Sequence, residues 1–198
     1  MITYVFEGNL YINITNRCPN RCEFCVRQLH DGVGDADSLW LKTEPTKEEI
    51  LQDILARDLS AYRQLVFCGY GEPFERLDDM LWVLKGVKGH SPIPTRINTN
   101  GLGDLICGRK TAAELDGLVD ILSVSLNAPD RDAYDALCHS DFGKQAFDSL
   151  IAFTKEAAAV VDEVYLSIID TMPEADIERC RAIANECGAT LKIRALIE

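Results

Sequence analysis

A chain of 198 residues that is 47% hydrophobic can bury one substantial core, about 70% of the surface its unfolded form exposes, so a single domain over residues 1–198 is expected. Its formal charge of −12, from 32 acidic against 20 basic residues, works against attraction to phosphate backbones and anionic lipid, which makes nucleic acid an unexpected partner. No apolar run approaches the roughly 20 residues that cross a bilayer and no secretory leader is read at the N-terminus, so a cytoplasmic protein with reduced cysteines is expected.

Ile2 to Phe6 and Leu10 to Thr15 are rich in β-branched and aromatic residues, and Gly8-Asn9 between them is a two-residue turn signal, so a hairpin is predicted. Its second strand delivers the chain into Cys18-Pro19-Asn20-Arg21-Cys22-Glu23-Phe24-Cys25, three cysteines with three and then two residues between them. Arg27 to Trp40 has glycines and aspartates without a clear period, and reads as a continuing loop.

Thr46-x-x-Glu49 is a capping box followed by Ile50, Leu51, Ile54, Leu55 and Leu59 at helical spacing, which predicts a helix from near Lys47. Gln64 to Cys68 is a short strand running into Gly69-Tyr70-Gly71-Glu72-Pro73, and a helix follows from about Leu77 to Val87. Thr95 to Thr99 is a strand entering Asn98-Thr99-Asn100-Gly101, after which Thr111-x-x-Glu114 caps a short helix. Ile121 to Leu126 is a strand ending at Asn127, and Pro129 opens a long helical region through about Val161. Glu163 to Ile169 is a strand, Pro173 opens a helix that Gly188 closes, and Thr190 to Ile197 is the last strand.

Six strands alternating with five helices argue for parallel β/α units, a curved sheet with helices outside it. Two strands short of a closed eight-stranded barrel, the sheet should be open on one side. Ligands in such folds sit at the carboxyl ends of the strands, where every unusual segment above falls.

Three thiolates in one loop can surround one face of a metal centre, and their uneven spacing asks for something larger than a single ion. A four-iron cluster normally takes four cysteines; with three, one iron keeps the open position that a catalytic metal needs. The competing assignment adds His30 to make a Cys3His zinc site, which would describe an interaction module instead of an enzyme. Structural zinc motifs more often bring cysteines in pairs joined by a longer spacer.

The Cys-x3-Cys-x2-Cys loop with Phe24 before its last cysteine resembles the signature of the radical S-adenosylmethionine (radical SAM) enzymes. The resemblance implies a partial (β/α)6 TIM-like barrel, and a 4Fe-4S cluster on Cys18, Cys22 and Cys25 whose free iron is chelated by S-adenosylmethionine. Gly69-Tyr70-Gly71-Glu72 is similar to the family's Gly-Gly-Glu segment, which binds the methionine amino group, with Tyr70 where many members have glycine. By the same resemblance Asn98, Asn100, Ser125 and Asn127 would contact ribose or carboxylate, and Phe24 with Ile168 or Ile169 would pack the adenine.

The implied reaction is reductive cleavage of S-adenosylmethionine to a 5′-deoxyadenosyl radical that takes a hydrogen atom from a small-molecule or peptide substrate, using an external one-electron donor. Thr-Asn-Gly-Leu-Gly at 99–103 and Ser-Val-Ser-Leu-Asn-Ala-Pro at 123–129 resemble the small radical SAM proteins associated with TatD-type hydrolases. An activase that installs a glycyl radical on a partner protein is a second reading, and a purine-derivative synthase is also conceivable.

Arg194, a charge in an otherwise apolar strand, either binds a carboxylate inside the barrel or is solvated at its open edge. Cys180 and Cys187 share an apolar helix face with Ile177, Ile183 and Ala184 and are expected in the core. Cys68 is expected to pack, Cys107 and Cys138 are read as isolated, and His90 and His139 as surface residues.

Overall fold

Seven strands lie side by side in chain order in the computed structural model, which describes residues 1–196. They are β1 (Thr3–Phe6), β2 (Asn9–Ile12), β3 (Leu65–Phe67), β4 (Thr95–Thr99), β5 (Ile121–Ser125), β6 (Glu163–Ile169) and β7 (Thr190–Arg194). The β1 and β2 strands are antiparallel and every later neighbour is parallel. The sheet does not close on itself: β1 and β7 are its two edges, as the expected open barrel requires. The predicted end of the last strand at Ile197 lies outside the described residues.

The hairpin turn falls on Glu7 and Gly8, at φ +48° and +74°, one residue earlier than the Gly8-Asn9 signal. Asn9 already pairs with Phe6, and two central residues at positive φ match the twist of the strands they join. The β1 edge is covered by the loop after the cysteines, whose Asp35 carboxylate accepts the Val5 N–H at 2.6 Å while its own N–H donates to Val5 O at 3.2 Å. That loop is an edge cover as well as a surround for the cysteines.

Helices α1 (Lys47–Leu55), α2 (Leu77–Lys88), α3 (Gly103–Cys107), α4 (Arg131–Cys138), α5 (Gln145–Ala157) and α6 (Glu174–Glu186) connect the strands. The Thr46 hydroxyl accepts the Glu49 N–H at 3.2 Å and the Glu49 carboxylate accepts the Thr46 N–H at 2.7 Å, so the predicted capping box forms. Met80, Leu84, Leu150 and Phe153 on α2 and α5 pack with Phe67, Ile97, Leu122, Leu166 and Ile168 into one buried cluster. Cys180 and Cys187 are buried there, as their spacing predicts.

Two predicted helices differ. Thr111 does not cap a helix: its hydroxyl and N–H both donate to Asp104 at 2.9 Å, and Ala112–Leu115 is a single 3-10 turn. The long region after Asn127 is broken in two, with Asp130 capping α4 through the Ala133 N–H at 2.9 Å and His139 at φ +45° ending it. The break exposes the α4 carboxyl end to the cysteine loop. Arg21 N–H donates to Cys138 O at 2.9 Å and Glu23 N–H to Leu137 O at 3.1 Å, so two carbonyls that a helix end leaves free anchor the three-cysteine segment, and the Asp141 N–H beyond that end donates to Pro19 O at 2.9 Å.

Candidate metal and cofactor site

The carboxyl ends of the strands open into a cavity of about 230 Å³. Cys18, Cys22 and Cys25 line it together with Phe24, Gly69, Tyr70, Gly71 and Glu72 from the first half of the chain. Asn98, Asn100, Ser125 and Asn127 line its other side. Twelve residues singled out in four separated segments therefore face one space.

The Glu72 carboxylate is its most tightly held group. It accepts the Phe74 N–H at 3.1 Å and the Thr99 hydroxyl at 2.7 Å on one oxygen, and the Asn100 N–H at 2.7 Å on the other. Burial pushes its pKa up to about 7 while those three donors pull it down. Gly71 is required by packing: a Cβ there would meet Thr15 O and lie 2.6 Å from Arg17 O. A Cβ at Gly69 would collide with Asn13. The two glycines press the Glu72 segment onto the chain leaving β2, a role different from the open approach to an ammonium that their type suggests.

Tyr70 is buried, its ring 5.0 Å from that of Trp40 and its hydroxyl donating to His30 O. The Tyr70 carbonyl accepts from Arg27 at 3.3 Å, and Arg27 also donates to Asn20 O at 3.0 Å. Arg27 thus ties the cysteine loop to the β3 mouth, and its charge favours the thiolate form of all three cysteines. Sequence reasoning passed over it; the signal was a basic residue two positions after the last cysteine.

Burial pushes the Cys18 thiol up to about 12 and raises Cys25 as well. Cys22 is raised first by a hydrogen bond with Cys138 and then by burial. Cys138 is therefore not isolated. It is buried behind the loop, where its sulfur accepts from Asn127 Nδ2 at 3.5 Å. Asn100 Nδ2 lies 4.0 Å from the Cys18 sulfur.

Three buried side-chain oxygens in the lining, Asn20 Oδ1, Asn98 Oδ1 and Asn127 Oδ1, have no hydrogen-bond partner among the described residues. Asn127 sits at φ +61°, a conformation asparagine tolerates better than most residues. Of the two isoleucines, Ile169 lines the cavity and Ile168 packs in the core. Cys68 also lines the cavity. Arg194 lines its open side on the exposed edge strand. Arg96 and Ser167 face the same space and were not singled out. For Arg96 the signal was a charge inside a β-branched strand. His90 and His139 are exposed, but His139 has a partner, Glu23, at 3.2 Å.

A metal cluster and a polar cofactor fit these residues: three soft thiols share one lining, and unsatisfied carbonyl oxygens wait for donors. Thiols must lose their protons to bind metal. Among the described residues no three His, Cys, Asp or Glu side chains are gathered around a point that could hold a single ion. No helix among the described residues is long and apolar enough to cross a membrane.

A sequence profile of the Radical SAM superfamily matches residues 12–187. Similar solved structures include Streptococcus suis SuiB bound to precursor peptide SuiA, at TM-score 0.70 and 19% identity over 95% of this chain and 39% of that one. A radical SAM methyltransferase from Sphaerobacter thermophilus superposes at 0.65 and 15% identity, over 98% of this chain and 68% of that one. HydG, a maturase of the FeFe-hydrogenase, superposes at 0.66 and 16% identity, over 95% of this chain and 42% of that one. The chain thus spans well under half of SuiB and of HydG. No curated protein sequence matches it.

Proposed function

The chain belongs to the radical SAM superfamily of enzymes, and on that premise we propose that it binds a 4Fe-4S cluster and S-adenosylmethionine in the cavity at the strand mouths. The observation that carries the reading is the sharing of one lining by Cys18, Cys22, Cys25 and the partnerless oxygens of Asn98 and Asn127. When bound, the two groups supply reductive cleavage of S-adenosylmethionine to methionine and a hydrogen-abstracting 5′-deoxyadenosyl radical, with the electron coming from an external donor.

The residues divide the remaining work. Cys18, Cys22 and Cys25 would hold the cluster as thiolates, having given up their protons. Glu72, fixed by three donors, presents negative charge to the methionyl ammonium. Asn100 and Ser125 supply polar contacts to the methionyl carboxylate and ribose. Asn98 Oδ1 and Asn127 Oδ1 accept from the ribose hydroxyls. Phe24 and Ile169 also line an adjoining groove of about 530 Å³ with Leu137 and Met172, an apolar seat for adenine that keeps water from the reacting end. Arg27 holds the loop in register with the β3 mouth.

The test is anaerobic reconstitution followed by dithionite and S-adenosylmethionine. The expected result is a brown protein absorbing near 400 nm that releases 5′-deoxyadenosine. A colourless metal-loaded protein, or release no greater than from a Cys22→Ala control, overturns the proposal.

A further inference from the structure

Beneath that site the barrel carries cations that nothing among the described residues neutralises. On β4, β6 and β7 the inward positions hold Arg96, Ser167, Lys192 and Arg194, with Ser167 directly beside Lys192 and Ile169 beside Arg194 in the register. The charges of Arg96 and Arg194 both act on the Tyr11 phenol and the Cys68 thiol, and that of Arg96 acts on Arg194 and Lys192 as well. These side chains therefore share one region.

Lys192 has a partner of another kind, its Nζ lying 3.4 Å from the centre of the Tyr165 ring. Neither arginine forms an ion pair among the described residues, although the chain has 32 acidic side chains. Arg96 Nε is buried without any hydrogen-bond partner. Among the described residues the only carboxylate lining the cavity is that of Glu72, whose oxygens accept from Phe74, Thr99 and Asn100 and not from either arginine. Arg96 is half-buried and Arg194 stands exposed at the open rim of the same lining, so a ligand there meets one guanidinium from within and one from the edge, and a guanidinium fork is shaped for a carboxylate or phosphate.

Taking the proposed cofactor site as given, we propose that Arg96 and Arg194 clamp the anionic group of a small substrate, a carboxylate or a phosphate, in the barrel interior. The clamp places a neighbouring carbon of that substrate above the lumen, facing the cofactor mouth. The same chemistry would also suit the methionyl carboxylate of S-adenosylmethionine, and the experiment separates the two sources.

Inorganic phosphate and malonate are titrated into the cluster-free full chain at fixed ionic strength, with the melting temperature as readout, for wild type, Arg96→Gln, Arg96→Lys and Arg194→Gln. The expected result is saturable stabilisation of wild type by at least one anion, at least tenfold weaker in both glutamine variants and partly restored by Arg96→Lys. Without anion, Arg194→Gln should melt at or above wild type, because a like charge has been removed from the pair. S-adenosylmethionine binding to the reconstituted protein is measured in parallel, with affinity in Arg194→Gln expected within twofold of wild type.

Absence of stabilisation in wild type, or equal stabilisation in all four proteins, overturns the clamp. A tenfold loss of S-adenosylmethionine affinity in both glutamine variants assigns the arginines to the methionyl carboxylate and overturns it too. Failure of wild type to release 5′-deoxyadenosine while the anion titration succeeds defeats the cofactor proposal alone.

Discussion

The Glu72 carboxylate and the Asn100 N–H, 2.7 Å apart, join the mouth of β3 to the mouth of β4 at the floor of the cofactor cavity. Burial raises the Glu72 carboxyl to about 7, above the value of about 4.3 expected in the unfolded chain. A carboxyl raised by folding supports the fold fully below its unfolded pKa and loses that support as pH rises through its native pKa. The loss is on the order of 3 kcal/mol for a shift of this size. The cluster-free chain should therefore lose melting temperature between pH 5 and 7.5 more steeply than Glu72→Gln. Parallel melting profiles for the two proteins would count against this account of Glu72.

Gly71 and Gly89 should respond oppositely to alanine. At Gly71 the new Cβ lies 2.6 Å from Arg17 O and also meets Thr15 O, backbone that cannot step aside, so Gly71→Ala should cost about 1–3 kcal/mol. At Gly89, with φ −72° and its nearest neighbour 3.5 Å away, alanine fits and restricts the unfolded chain, so Gly89→Ala should be neutral or stabilising by up to about 1 kcal/mol. Urea midpoints compare them directly; equal effects would mean that the β3 mouth yields.

Thr46→Ala removes the hydroxyl that accepts the Glu49 N–H on an exposed helix start, keeps the backbone N–H that donates to the Glu49 carboxylate, and leaves no cavity behind. The expected cost is about 1 kcal/mol, read as a lower urea midpoint with unchanged slope. A midpoint equal to wild type would show that packing of Ile50 and Ile54 alone sets where α1 begins.

Thr46 and Thr111 also show what local sequence can and cannot tell. Both start a Thr-x-x-Glu pattern, but Thr46 is extended at φ −67°, ψ 159° and caps its helix. Thr111 is at φ −118°, ψ −21° and gives its hydroxyl to Asp104, a residue seven positions back that the pattern does not include. The strands were legible because short apolar runs end at turn signals, and the cavity residues because they follow those ends. The break after Cys138 was not, although Ser140, Asp141 and Gly143, the last at φ +58°, are turn residues, because the apolar positions on either side of it continue a helical reading; the exposed helix end it creates meets the cysteine loop from far away in sequence. Arg96 was passed over and Cys138 was read as isolated because each acquires its role only from neighbours the fold supplies.

Cys138 is the sharper case, since a fourth thiol beside Cys22 invites assignment as a fourth iron ligand. Its position argues otherwise. Cys138 is absent from the cavity lining that contains Cys18, Cys22 and Cys25, is fully buried, and its sulfur is engaged by Asn127 Nδ2. A cluster seated in the cavity would meet three sulfurs and have Cys138 behind one of them, donating to or accepting from Cys22 as an outer partner. Cys138→Ala should therefore lower stability by about 1 kcal/mol yet retain bound iron and absorbance near 400 nm after reconstitution. Cys18→Ala, Cys22→Ala and Cys25→Ala should each lose most of both. If Cys138→Ala loses its iron as completely as Cys22→Ala does, the cluster has four protein ligands and no open iron, and the cofactor chemistry proposed for the cavity loses its site.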